Sequence, residues 1–174
     1  MYIHYYNSPL GRITIASGGK SLAGLWFDSQ KYFESTICGE RLYEYLPVFK
    51  QAEKWLDIYF SGKDPGFIPP ISMEGATPFR RAVWEIMLSI QFGHTMSYGE
   101  IADIIAKQRG AGSMSAQAVG GAVAHNPLSL IIPCHRVIGA DGSLTGYAGG
   151  INRKRLLLEL EKSVSVMVNF VSSK

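Results

Sequence analysis

The sequence predicts an α/β fold of the α+β kind, a small antiparallel sheet with helices followed by a mostly helical unit. Two patterns carry this reading. Three short runs rich in β-branched and aromatic residues, separated by turn signals, fill the first 27 residues, and from residue 46 onward apolar residues recur at helical spacing. With 174 residues, 47% hydrophobic and 18% charged, the chain can build one or two real cores, and nothing suggests disorder.

The strand-like runs are Tyr2 to Tyr6, Gly11 to Ala16 and Leu22 to Phe27, joined by Asn7-Ser8-Pro9 and Ser17-Gly18-Gly19, so consecutive strands pair antiparallel. From Leu46 to Ser61, Phe49, Ala52, Glu53, Leu56 and Tyr59 with Phe60 recur at helical spacing and Gly62 supplies a stop. This amphipathic helix covers the sheet, and Lys63 to Pro70 is a loop. No catalytic constellation is legible in this half, and its aromatic residues read as core.

Thr77-Pro78 opens the second unit as N-cap and first helical residue, with Phe79, Ala82, Val83, Ile86, Met87 and Ile90 as the buried stripe and Gly93 as the stop. Ser97-Tyr98-Gly99-Glu100 has capping-box spacing, so a second helix runs from Ser97 toward Lys107. Ser115 to Ala124 reads as a third helix, thin because of Ala116, Ala118, Gly120, Gly121, Ala122 and Ala124. The last two form a helix-turn-helix; the small residues suit close approach to a duplex or to another helix equally well. The domains expected are 1–76, 77–163 and a tail 164–174. The tail region, SVSVMVNFVSSK from Ser163, alternates like a strand.

Leu128 to Ile132 (LSLII), between Asn126-Pro127 and Pro133, reads as a buried strand, so Cys134 sits where a rigid element stops. A free thiol has a pKa of about 8.5 and needs a base or positive field to react, and His135 and Arg136 are the nearest candidates. Taken alone, an unpaired cysteine is more often a small buried hydrophobe. The other cysteine, Cys38, is far away in sequence, so neither a disulfide nor a zinc site is expected.

Residues 1–76 hold 7 Lys and Arg against 8 Asp and Glu, net −1, whereas residues 77–174 hold 10 against 6, net +4. That suits phosphate contacts, or simply a solvated surface. Met1 to Tyr6 has no cationic start with an apolar stretch, so no secretory signal or membrane insertion is expected, and the expected compartment is the cytoplasm.

Five blocks in order, SYGEIA at 97–102, AVGGA at 118–122, NP at 126–127, IPCHRV at 132–137 and GYAGG at 146–150, give residues 77–161 a resemblance to the O6-alkylguanine-DNA alkyltransferase family, also called methylated-DNA-protein-cysteine methyltransferases. The resemblance implies a ribonuclease-H-like first domain and a helix-turn-helix second domain. It implies repair of O6-alkylguanine, and of O4-alkylthymine as a second substrate, by irreversible transfer of the alkyl group to Cys134. It further implies a monomer that enters the minor groove of double-stranded DNA and flips the nucleotide out, at a cost of a few kcal/mol.

By the same resemblance His135 is the base, Glu161 holds its tautomer, Tyr98 donates toward the departing guanine and Asn126 braces the active-site turn. Gln117 stands where the family has an arginine that fills the vacated space, with Ala118 and Gly121 on the same helix and Arg109 as another source of charge. Substrate contacts are expected around Pro133, Cys134, Arg136 and Val137 and from Tyr147, Ala148 and Gly149, Ala148 replacing a frequent serine. A thiolate is a soft, strong nucleophile suited to an alkyl carbon, and the protein itself is the acceptor, so no cofactor or metal is called for. Three other readings compete. A non-catalytic lesion binder of this fold characteristically lacks the cysteine, a helix-turn-helix regulator needs more base-reading groups than this thin helix offers, and a cysteine hydrolase leaves the other blocks without a role.

Overall fold

The computed structural model describes residues 1–35 and 37–171, and for residues 163–171 the backbone alone. Strands β1 (Tyr2–Ser8), β2 (Gly11–Ser17) and β3 (Leu22–Phe27) form an antiparallel sheet in that order, with Tyr2 opposite Ser17 and Ser8 opposite Gly11. β1 runs two residues past its predicted end because the turn is Pro9-Leu10; Ser8 Oγ donates to the Gly11 carbonyl and accepts from the Leu10 amide. Helix α1 (Pro47–Phe60) lays Phe49, Ala52, Leu56 and Tyr59 toward the sheet, and Gly62, at φ 82°, follows its end. Hydrogen bonds from His4 to Glu53 (2.8 Å) and from Tyr6 to Asp57 (2.7 Å) link α1 to β1.

In the second half, α2 (Pro78–Leu88) starts at Thr77, whose hydroxyl accepts from the Arg80 amide. Such a cap contributes about 1 kcal/mol. Strand β4 (Met96–Ser97) leads directly into α3 (Tyr98–Gln108), where the capping box closes in both directions between Ser97 and Glu100. Helix α4 (Ala116–Ala124) packs on α2 and α3, and the buried Trp84 indole donates to the Ala122 carbonyl at 2.9 Å. Strand β5 (Val137–Ile138) pairs in parallel with β4, pinning the chain after Cys134 beside the start of α3. One hydrophobic core, from Ile13 and Leu25 through Leu56 and Met87 to Ile132 and Leu157, joins both halves.

Two expectations are overturned. Leu128 to Ile132 is not a strand: only Leu128 bridges to Leu25, and the chain then turns through Leu130 at φ 70°, bringing the Ile132 amide to the Leu128 carbonyl. These residues are apolar because they are buried on every side, and Asn126 satisfies the backbone that a sheet would have paired. The alternating tail is not a strand either. Helix α5 (Ile151–Val171) carries straight on through it; Ser172 to Lys174 lie outside the described residues. Among the described residues the two sheets are β1-β2-β3 and β4-β5, and neither takes in this stretch. Among the described residues no helix is long and apolar enough to cross a membrane.

Candidate active site

Asn126 organises the turn that carries the thiol. Its Nδ2 donates to the carbonyls of Ile132 (2.7 Å) and Leu128 (3.4 Å), and its Oδ1 accepts from the Leu128 amide. The chain then enters a single 3-10 turn, Cys134 to Arg136, which presents the three side chains in different directions. Cys134 is buried. Burial pushes its thiol above the ordinary value, opposed by a hydrogen bond from the Asn126 side chain and the charge of Lys154.

His135 and Glu161 are both fully buried, with Nε2 2.7 Å from Oε1. Burial holds the imidazole below its usual pKa despite the facing carboxylate, so the ring is neutral at pH 7. Nδ1 has no hydrogen-bond partner among the described residues. Burial alone would raise the Glu161 carboxyl, but hydrogen bonds and charge from His135 and Arg136 win and hold it at about 2. The other donors to Glu161 are Arg136 Nε (2.9 Å) and Nη2 (3.1 Å), the Gly93 amide (3.0 Å) and the Tyr59 hydroxyl (2.8 Å).

This corrects the expectation for Arg136. Its guanidinium, expected to face substrate or DNA, is turned inward onto Glu161 and the Ile90 carbonyl, because a buried carboxylate needs a buried counter-charge.

A cavity of about 420 Å³ opens between α4 and the loop 145–148. Tyr98, Gln117, Gly120, Tyr147, Ala148 and Lys31 are among its walls. Burial raises the phenols of Tyr98 and Tyr147, and Cys134 adds to the rise in both. Tyr98 donates to the Thr145 carbonyl at 3.1 Å and packs against Gly146, where a Cβ would come within 2.9 Å of its hydroxyl and φ is 64°. Glycine is therefore required there.

The predicted residues do not all meet at this cavity. Ala118 and Gly121 lie on the exposed face of α4, Arg109 places its guanidinium 5.3 Å over the Phe79 ring, and Pro133 borders a separate cavity with Phe92 and Arg136. Gly149 is backed by the Tyr147 ring, and Val137 contributes its carbonyl to Lys154.

Three residues escaped the sequence reading. Lys154 on α5 is wholly buried, donating to the Val137 and Thr145 carbonyls, and burial lowers it to about 8. Its spacing from Leu157 and Glu161, i+3 and i+7 on one helix face, was a legible signal. Tyr59 stood on the apolar face of the α1 pattern and looked like core. Lys31 reaches the cavity because its amide donates to the Ala148 carbonyl, a contact no local pattern announces. Among the described residues no group of three or more His, Cys, Asp or Glu is placed to hold a metal ion.

Comparison with known proteins finds likeness over most of the chain. Residues 1–72 match the ribonuclease-like domain, and residues 78–163 the DNA binding domain, of 6-O-methylguanine DNA methyltransferase. The methylated-DNA–protein-cysteine methyltransferase of Mycobacterium tuberculosis is 46% identical over 166 residues, covering 92% of this chain and 93% of its own. That of Haemophilus influenzae is 39% identical over 163 residues, covering 93% and 87%. The crystal structure of Mycobacterium tuberculosis OGT in complex with DNA superposes with a TM-score of 0.79 at 44% identity, over 94% of each chain. The methyltransferase of Pyrococcus kodakaraensis superposes with a TM-score of 0.63 at 26% identity, covering 92% of this chain and 98% of its own. Two consecutive domain matches and identities of this size over nearly full length leave one conclusion: the chain belongs to the 6-O-methylguanine DNA methyltransferase family.

Proposed function

We propose that this protein repairs DNA by moving the alkyl group of O6-alkylguanine onto Sγ of its own Cys134, once per molecule. The observation that carries the reading is a buried thiol adjacent in the chain to a buried imidazole that burial holds below its usual pKa and a carboxylate backs at 2.7 Å.

Nδ1 of His135 takes the thiol proton, through a bridging water, while Glu161 accepts the Nε2–H hydrogen bond and stabilises the imidazolium that forms. The thiolate attacks the alkyl carbon in line with O6, the S–C bond forms as the C–O bond breaks, and the electron pair of that bond passes to the guanine. Tyr98 turns its hydroxyl from the Thr145 carbonyl toward the ring and, by donating to it, offsets the developing charge. Lys154 supplies a positive field beside the sulfur. The product is a thioether, and no group in the site can return it to a thiol, so the protein is consumed.

The base reaches the cavity by flipping out of double-stranded DNA, with α4 entering the minor groove and Gln117 at the vacated position. The Ala148 region closes over the alkylated oxygen through its backbone. The protein acts as a monomer.

The test is intact-mass measurement and peptide mapping after mixing the protein with duplex DNA carrying one O6-methylguanine, with Cys134→Ala as control. One methyl group on Cys134, matched by loss of the lesion, is expected. Lesion-selective binding without transfer overturns the reading in favour of a damage sensor.

A further inference from the structure

Tyr59 belongs to α1, in the half of the chain that supplies neither Cys134 nor His135 nor Glu161. Yet its hydroxyl donates to Oε1 of Glu161 at 2.8 Å and lies 3.2 Å from Nε2 of His135. The ring cannot drift from that position. It is fully buried, stacked on Trp55 at 5.2 Å and 7°, and met edge-on by Phe92 at 5.9 Å.

We propose that Tyr59 is a positioning residue for the transfer reaction, holding His135 as the neutral tautomer whose Nδ1 is free to take the thiol proton. The proposal rests on the alkyl-transfer reading above. Two oxygens face Nε2, one on the carboxylate and one on the phenol, so the ring proton belongs there. The phenol stays protonated and spends that proton on Oε1; burial and the adjacent carboxylate keep it from ionising. Oε1 is thereby shared among His135, Tyr59 and Arg136, and Oε2 between Arg136 and the Gly93 amide. A carboxylate so fully occupied pulls less on the imidazole. Left with fewer donors, it would favour imidazolium in the resting protein, and imidazolium accepts no proton from a thiol. The remaining charges that act on the ring, Arg136 and Lys154, press in the same direction, toward the neutral form.

The sign follows. Removing the hydroxyl in Tyr59→Phe raises the pKa of His135, whereas 3-fluorotyrosine at position 59, a stronger donor of nearly the same shape, lowers it. The measurement is 15N NMR titration of the His135 ring in the unreacted protein, beside the pH profile of methyl transfer. In Tyr59→Phe the imidazole midpoint and the acid limb are expected to move up together by about half to one pH unit, which is about three- to tenfold in rate at a fixed pH on that limb. The fluorinated protein is expected to move both down. Midpoint and limb at the wild-type pH in both proteins overturn the proposal, whether or not the plateau rate falls, since a merely structural residue changes rate or Tm without moving the titration. The NMR titration needs no turnover, so it reads Tyr59 even if wild-type protein fails to take up methyl groups, a failure that would count against the transfer reading instead.

Discussion

Replacing Glu161 by glutamine keeps the shape of the side chain and removes its charge, and the structure sets the size of the effect. The carboxylate is fully buried and receives Arg136 through Nε and Nη2, together with His135, Tyr59 and the Gly93 amide. Glutamine would leave Arg136 as a buried cation without a counter-charge, a loss of about 3–5 kcal/mol. The depressed carboxyl gives an independent figure. At about 1.4 kcal/mol per pH unit, the gap between an ordinary 4.5 and about 2 corresponds to about 3 kcal/mol. For a chain of this size that is a fall in Tm of about 6–20 °C. The pH dependence separates this cause from a simple packing defect. Because the folded pKa lies below the unfolded one, the carboxylate's contribution is complete above about pH 4.5 and fades as pH falls toward 2. Urea unfolding of both proteins from pH 7 to pH 3 is the assay, and the stability gap should be constant down to about pH 5 and narrow below it. A Glu161→Gln protein within about 1 kcal/mol of wild type at pH 7, or a gap that stays constant to pH 3, would refute the reasoning.

Two further outcomes follow from the cavity and the thiol. Gln117→Arg should accelerate repair of duplex DNA on the order of tenfold by helping offset the flipping cost, with little change on single strands, measured by methyl transfer from the two substrates side by side; equal acceleration sinks the flipping argument. Lys154→Met removes the cation beside Cys134, so the thiol pKa should rise and alkylation by iodoacetamide at pH 7 should slow by about tenfold. An unchanged pH profile of iodoacetamide alkylation would mean that Lys154 only props up the Val137 and Thr145 carbonyls.

Local chemistry is what the sequence by itself determined. The hairpin turns, the Thr77, Ser97 and Ser115 caps and the helical periodicities are satisfied within a few residues, so the three strands and four of the helices were legible without knowing the fold. Cys134 and His135 were legible too, because they are adjacent and set among ordered family blocks. The tertiary structure decided whatever depends on partners distant in sequence. Leu128 to Ile132 looked like a strand because burial on all sides and sheet formation leave the same apolar signature; only the Asn126 side chain, which takes over the backbone hydrogen bonds, shows that the segment turns. The same holds for the buried groups around Glu161 and Cys134. Tyr59 and Lys154 are polar groups on apolar helix faces, and Arg136 is a basic residue that reads as DNA-facing. Their roles appear only when α1, α5 and the 3-10 turn pack together, since a charge taken out of water, the Glu161 carboxylate or the Lys154 ammonium, must collect partners from wherever the fold supplies them.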